Sequence, residues 1–165
     1  MNDDSGKIYD LLQKFHTAML VTHVASGDVR ARPMAIADTE KSGAIWFITD
    51  RESAKVHEIE QDTRVLVVAQ RDRDVYLSIV GAASLVNDRA QLDRIWNEKF
   101  TVWFPDGKSD PEIALIRVKS LEAEYWDNSG TKKIQYLIQI ASAYFSGKRP
   151  DIKEGEQHGT VELQP

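Results

Sequence analysis

The sequence predicts a mainly β domain, a small antiparallel barrel of six strands with flanking helices. Three observations predict it. Six runs read as strands, mostly linked by short turns, and "SGAIWFITD" among them is dense in β-branched and aromatic residues. The turns after Ala25 and Gln70 are too short for the crossover that a parallel pair needs. Helical patterns come at intervals, whereas a parallel sheet wants one after nearly every strand.

Taken in order, Ile8, Leu11, Leu12 and Phe15 recur at helical spacing and predict an amphipathic first helix. "MLVTHVA" reads as a strand, "SGD" (Ser26 to Asp28) as a hairpin turn, and "VRARPMAIAD" as the returning strand. "SGAIWFITD" is a third strand. "RVLVVAQ" and "VYLSIVGAASLV" are two more, joined by the charged turn "RDRD". Gly81 interrupts the second of these, which predicts a bulge or a close backbone approach. "RAQLDRIWNEKF" is helical, and "WFPDGKSDP" is a loop punctuated by Pro105, Gly107 and Pro111. "EIALIRVKSLEAEYW" is a long last strand, and "KKIQYLIQIASAYF" a closing helix. Residues 1–147 form the single expected domain, and 148–165 a polar tail, extended or mobile.

The bulk numbers narrow the function. A chain of 165 residues with 42% hydrophobic content can bury a real core. It has no apolar run of membrane-spanning length and no signal-peptide pattern, so a cytoplasmic protein without a membrane role is expected. Zero cysteines exclude disulfides, thiol nucleophiles and thiolate metal sites. A net charge of −5 argues against a protein built to hold nucleic acid. The four histidines show no metal-ligand spacing, no glycine-rich phosphate loop appears, and no nucleophile elbow surrounds a serine.

Three stretches carry chemistry. In "FITDRESAKVHEI", a strand end runs into an amphipathic helix, with Thr49, Arg51, Ser53 and Lys55 at the junction. The plain reading is a helix capped by Ser53 with Lys55 solvated. The functional reading is an anion seat, since a helix N-terminus offers unpaired N–H groups to which hydroxyls and cations can add. The two are compatible. In "RARPM", Arg30, Arg32 and Met34 share one strand face, and Pro33 places the strand at an edge or a break in pairing. This is either a solvated edge or the border of a planar or anionic ligand. "TVWFPDG" puts Trp103 and Phe104 on a turn, where core packing, a flat ring or a second subunit would cover them.

The succession "RPM", "WFITDRESAKVHEIEQDTRVLV", "VGAASLV", "EYW" resembles the pyridoxamine 5′-phosphate oxidase-like superfamily of FMN-binding split β-barrels. "WFPDGKSDPEIALIRVKSLEAEYWD" and the tail "GEQHGTVEL" are most similar to its bacterial general stress protein 26 branch. The resemblance implies a six-stranded antiparallel split barrel that dimerises around FMN. It implies that Arg32, Ser53 and Lys55 hold the phosphate, and that main chain at Pro33 and Met34 lies against the flavin ring. Ile48 and Thr49 would line the flavin, with Trp126 and Tyr76 contributed by the partner subunit. Trp103 joins them on its loop position alone. The resemblance assigns no catalytic side chain.

The departures matter too. The oxidases carry an Arg-x-His segment where this chain reads "DNSGTKKIQ". They also carry a lysine near the position of Ala37, and an arginine where Ala54 stands. The flavin seat is kept and the vitamin-phosphate seat is not, so synthesis of pyridoxal phosphate is not expected. An FMN-dependent oxidoreductase associated with stress is the leading expectation. A non-enzymatic flavin-sequestering or sensor module is the alternative, as is the same fold holding FAD, a deazaflavin or haem.

Overall fold

A computed structural model describes residues 3–129 and 158–163. Its frame is one antiparallel sheet, built in the order β2-β1-β5-β6-β7-β4-β3, with β8 paired to β7. The strands are β1 (Thr17–His23), β2 (Val29–Ala35), β3 (Asp38–Thr39), β4 (Ile45–Asp50), β5 (Arg64–Arg71), β6 (Val75–Val86), β7 (Ile113–Asp127) and β8 (His158–Glu162). Helices α1 (Asp3–Leu12), α2 (Ala54–Gln61) and α3 (Arg89–Ile95) flank them. The fold is the mainly β, antiparallel split barrel that the sequence predicts. Among the described residues, no helix is long and apolar enough to cross a membrane.

Two strands were not expected. The predicted second strand, 29–38, divides at its end. Through Ala35 it pairs with β1, then Ile36 N–H donates to His16 and Ala37 N–H to Trp46, and Asp38–Thr39 pairs with β4. One segment thus ties the two open margins of the sheet together. The other addition is β8. Residues 158–162 of the expected tail form a strand on β7, with Val161 and, just beyond it, Leu163 buried in the core. The apolar residues at 161 and 163 alternate with polar ones, the period of a half-buried strand. The third predicted helix is also shorter. It stops at Ile95, because the Asn97 side chain accepts from Lys99 N–H and starts a separate 3-10 turn over Glu98–Val102. The predicted helix over residues 132–145 lies outside the described residues.

The long strands do what their sequences suggest. At Val80/Gly81 the pairing of β6 with β7 shifts register, leaving Leu121 as the extra residue. A Cβ on Gly81 would sit 2.7 Å from the Lys119 carbonyl oxygen, so the expected bulge and the expected close approach occur together. Pro33 lies in β2, which is an edge strand.

Strand β4 is buried on both faces. Ile45 and Phe47 enter the main core with α1, β1, β5, β6 and β7. Trp46 and Ile48 enter a second, smaller core with Leu92, Ile95, Phe100 and Phe104. The candidate site opens where these two cores meet.

Candidate functional site

A cavity of about 510 Å³ lies between β2, the end of β4, the start of α2 and the 3-10 turn. Arg32, Pro33, Met34 and Ala35 form one wall, and Ile48, Thr49, Asp50 and Lys55 a second. Phe100, Trp103 and Phe104 form the third. Seven of the ten predicted residues therefore meet in one place: Arg32, Pro33, Met34, Ile48, Thr49, Lys55 and Trp103.

The polar end is built by β4 and α2. Lys55 Nζ donates to Thr49 Oγ1 at 2.8 Å, and Thr49 Oγ1 lies 3.5 Å from Ser53 Oγ. Ser53 occupies the N-cap position of α2 in extended conformation, yet its side chain makes no capping bond. The plain capping reading thus holds for its position but not for its hydroxyl. Ser53 Oγ and the N–H groups of Ala54 and Lys55 stand at the positive end of the helix, whereas Val56 N–H already donates to the Ser53 carbonyl.

Charge at this end is under tension. Burial holds the Lys55 ammonium below its ordinary pKa, and the nearby Arg32 guanidinium pushes the same way, against Asp50 and Glu58. An anion between the two cations would favour the charged lysine and so oppose both effects.

Arg32 is held from behind. Its Nη1 donates to Thr22 Oγ1 at 2.7 Å and its Nη2 to Glu58 Oε2 at 2.8 Å. Glu58 Oε2 also accepts from Thr22 Oγ1 at 2.5 Å, and Oε1 accepts from Arg30 at 3.2 Å. Burial alone would raise the Glu58 carboxyl. The bonds from Thr22 and Arg32 and the charges of both arginines outweigh it and hold the group below the usual carboxylate range. Neither Thr22 nor Glu58 was among the predicted site residues. The signal was present in Glu58, an acid between Val56 and Ile59 on the inward face of α2.

The other end is apolar. Phe100 and Phe104 are buried against Trp96, whereas Trp103 is 65% exposed at the cavity mouth. "TVWFPDG" thus divides its two turn aromatics, Phe104 to the core and Trp103 to the rim. The cavity is cationic at one end and flat and aromatic at the other, a shape for a planar ring carrying an anionic group.

Tyr76 and Trp126 are not brought to it. They are cross-strand partners on β6 and β7, on the outer face of the sheet. Thr49 pairs with Ala114, so Trp126 stands twelve residues farther along the same strand. At roughly 3.3 Å per residue that is on the order of 40 Å of path along the strand. Trp126 instead stacks on His158 of β8, ring centres 4.9 Å apart.

Comparison with known proteins places this geometry in a family. A general stress protein 26, provisionally assigned, from Jannaschia sp. CCS1 is 26% identical, with a TM-score of 0.76 over 98% of this chain and 99% of that one. The general stress FMN/FAD binding protein from Xanthomonas citri is 32% identical, with a TM-score of 0.66 over 79% of this chain and 92% of that one. Protein bli-3 of Neurospora crassa is 28% identical over 84% of this chain and 71% of its own length. The family model for proteins described as "Pyridoxamine 5'-phosphate oxidase like" matches residues 3–151, and the chain belongs to that family.

Proposed function

We propose that this chain is a cytoplasmic flavin-binding protein of oxidoreductase type, which holds FMN between the two subunits of a homodimer. One observation carries the reading: Lys55 and Arg32 crowd one end of a cavity whose other end is aromatic. The flavin phosphate would lie at Arg32, Ser53, Lys55 and the start of α2. The ring would lie along Pro33, Met34, Ile48 and Thr49, under Trp103. The Xanthomonas citri relative, an FMN/FAD binding protein, supports the ligand class.

A bound flavin would supply electron or hydride transfer. The chain's part is to hold the phosphate, orient the ring and exclude water. Among the described residues, the charged side chains that line the cavity are Arg32, Asp50 and Lys55, with no histidine beside them. That lining favours a second reading, a protein that sequesters flavin without turnover. Reduction by a nicotinamide with rapid reoxidation separates the two.

The dimer rests on the outer face of the sheet. Met19, Val68, Val80 and Tyr76 are exposed there on β1, β5 and β6, an apolar stripe that a second copy would cover. The same contact is the route by which Tyr76 and Trp126 would reach a flavin. Synthesis of pyridoxal phosphate is not part of this proposal. After Trp126 the chain offers Asp127, whose carboxyl is pulled down to about 2. Burial opposes this, while bonds from Lys14 and Ser129 hold the charged form. A fixed negative charge does not suit a substrate phosphate.

The test is an absorbance titration of the purified protein with FMN and, separately, FAD. A shifted flavin band saturating near one FMN per subunit is expected. No binding of either flavin overturns the reading, and an FAD preference changes the cofactor alone.

A further inference from the structure

We propose that Glu58 is the positioning residue of the anion seat, fixing the inner edge of Arg32 so that its remaining N–H groups face the cavity. The inference rests on the flavin-phosphate reading above and extends it to a residue that would never touch the ligand.

The geometry is specific. Glu58 is 7% exposed and lies on the packed face of α2. A carboxylate there is costly unless its oxygens are fully used. They are used by Thr22, Arg32 and Arg30. Thr22 is fully buried, and its hydroxyl oxygen accepts from Arg32 while its O–H donates to Glu58. The three side chains close a triangle that spans β1, β2 and α2.

A guanidinium has five N–H groups in a rigid fork. The triangle engages one on Nη1 and one on Nη2, leaving three for a ligand. Arg32 stands on an edge strand, where an unheld arginine would sample many rotamers. Held by Glu58 and Thr22, it meets an anion without losing that freedom at binding.

Two rival roles give different signs. If Glu58 chiefly neutralised the arginines, removing its charge would strengthen anion binding. If it only tied α2 to the sheet, its loss would weaken every ligand of the cavity alike. A positioning residue weakens the phosphate-bearing ligand alone, and only while Arg32 is present.

The experiment measures dissociation constants of the full chain for FMN and for riboflavin, its phosphate-free counterpart, by flavin fluorescence. Variants are Glu58→Gln, Arg32→Gln and both together. Glu58→Gln is expected to weaken FMN about ten- to a hundredfold, the range for a bond to a charged group, and to leave riboflavin within about twofold. Added to Arg32→Gln, it should leave the FMN-to-riboflavin ratio unchanged. An unchanged or higher FMN preference in Glu58→Gln, or an equal loss of both flavins, overturns the role. If Glu58→Gln fails to fold, Thr22→Val loosens the same triangle from its hydroxyl corner. A several-fold fall in FMN preference then supports the role, and none overturns it. A wild-type protein with no preference for FMN over riboflavin refutes the phosphate seat itself, and Glu58's role falls with it.

Discussion

Replacing Lys55 with methionine should move stability and binding in different ways. The ammonium is disfavoured in the folded protein, by burial first and by Arg32 second. For a lysine whose folded pKa is lowered, the cost is present below that pKa. It disappears as pH rises towards the unfolded value of 10.5. Methionine keeps the stem, removes the repulsion, and forfeits the 2.8 Å bond to Thr49, worth about 1 kcal/mol. These effects oppose, so stability without ligand should change by no more than about 1 kcal/mol, or roughly 2–4 °C in a domain of this size. Binding has no such compensation. Loss of a charge-assisted bond to phosphate costs about 1.5–3 kcal/mol, a ten- to hundredfold weaker FMN complex. Riboflavin, without the phosphate, should bind the variant as it binds the parent. Thermal melts without ligand, paired with fluorescence titrations of both flavins, read the two effects separately. A large drop in melting temperature with unchanged FMN affinity would show that Lys55 serves the fold, and the anion-seat argument would fail.

Other consequences follow from single contacts. Gly81→Ala should destabilise by about 1–3 kcal/mol, because the new Cβ meets backbone that can move only with β7; the midpoint of urea unfolding reads it. Glu40 is held at about 2, chiefly by its bond to Arg117; burial opposes, and bonds from Trp46 and Ser42 help. Its stabilisation is present above pH 4.5 and lost as pH falls towards 2. Glu40→Gln should therefore flatten acid unfolding across that window, and cost about 1–2 kcal/mol at neutral pH once solvent screening is discounted. If flavin sites are shared between subunits, Lys55→Met and Trp126→Ala proteins should complement one another. Random exchange makes half of the dimers mixed, each with one intact site, so about a quarter of all sites should regain FMN affinity. No recovery on mixing would place Trp126 outside the site.

How much of this was legible in the sequence differs by element. The polar end of the cavity was readable because its residues are local: Thr49, Ser53 and Lys55 lie within one strand–helix junction. The Gly81 bulge was readable because an interrupted β-run has few explanations. By contrast, β8 has five residues and lies in a polar, charged stretch. Its reason to exist is the free edge of β7 beyond β4, which no local pattern reveals. The break at Trp96 and Asn97 was hidden for the opposite reason, since apolar spacing runs on through Phe100 while one asparagine side chain ends the helix. Glu58 could have been noticed as a misfit on an apolar face. What it holds became visible only when β1 and β2 were placed beside α2.

The placement of the cavity follows from β4. A strand buried on one face would have its outer side chains in water, and a cavity there would be an open groove. Here Ile48 is packed from outside by Phe100 and Phe104, while its neighbour Thr49 faces the cations. Consecutive residues on one strand point to opposite faces, so the strand end supplies an apolar and a polar surface within a single residue step. Six backbone pairs to β7 anchor that end, and Arg51 N–H donates to Glu112 just beyond it. The seat is therefore anchored where a ligand's charge would sit, and β2, an edge strand, is the wall paired on one side alone. The triangle of Thr22, Glu58 and Arg32 lies at that wall, and ties the side chain most in need of fixing to the two elements that are already fixed.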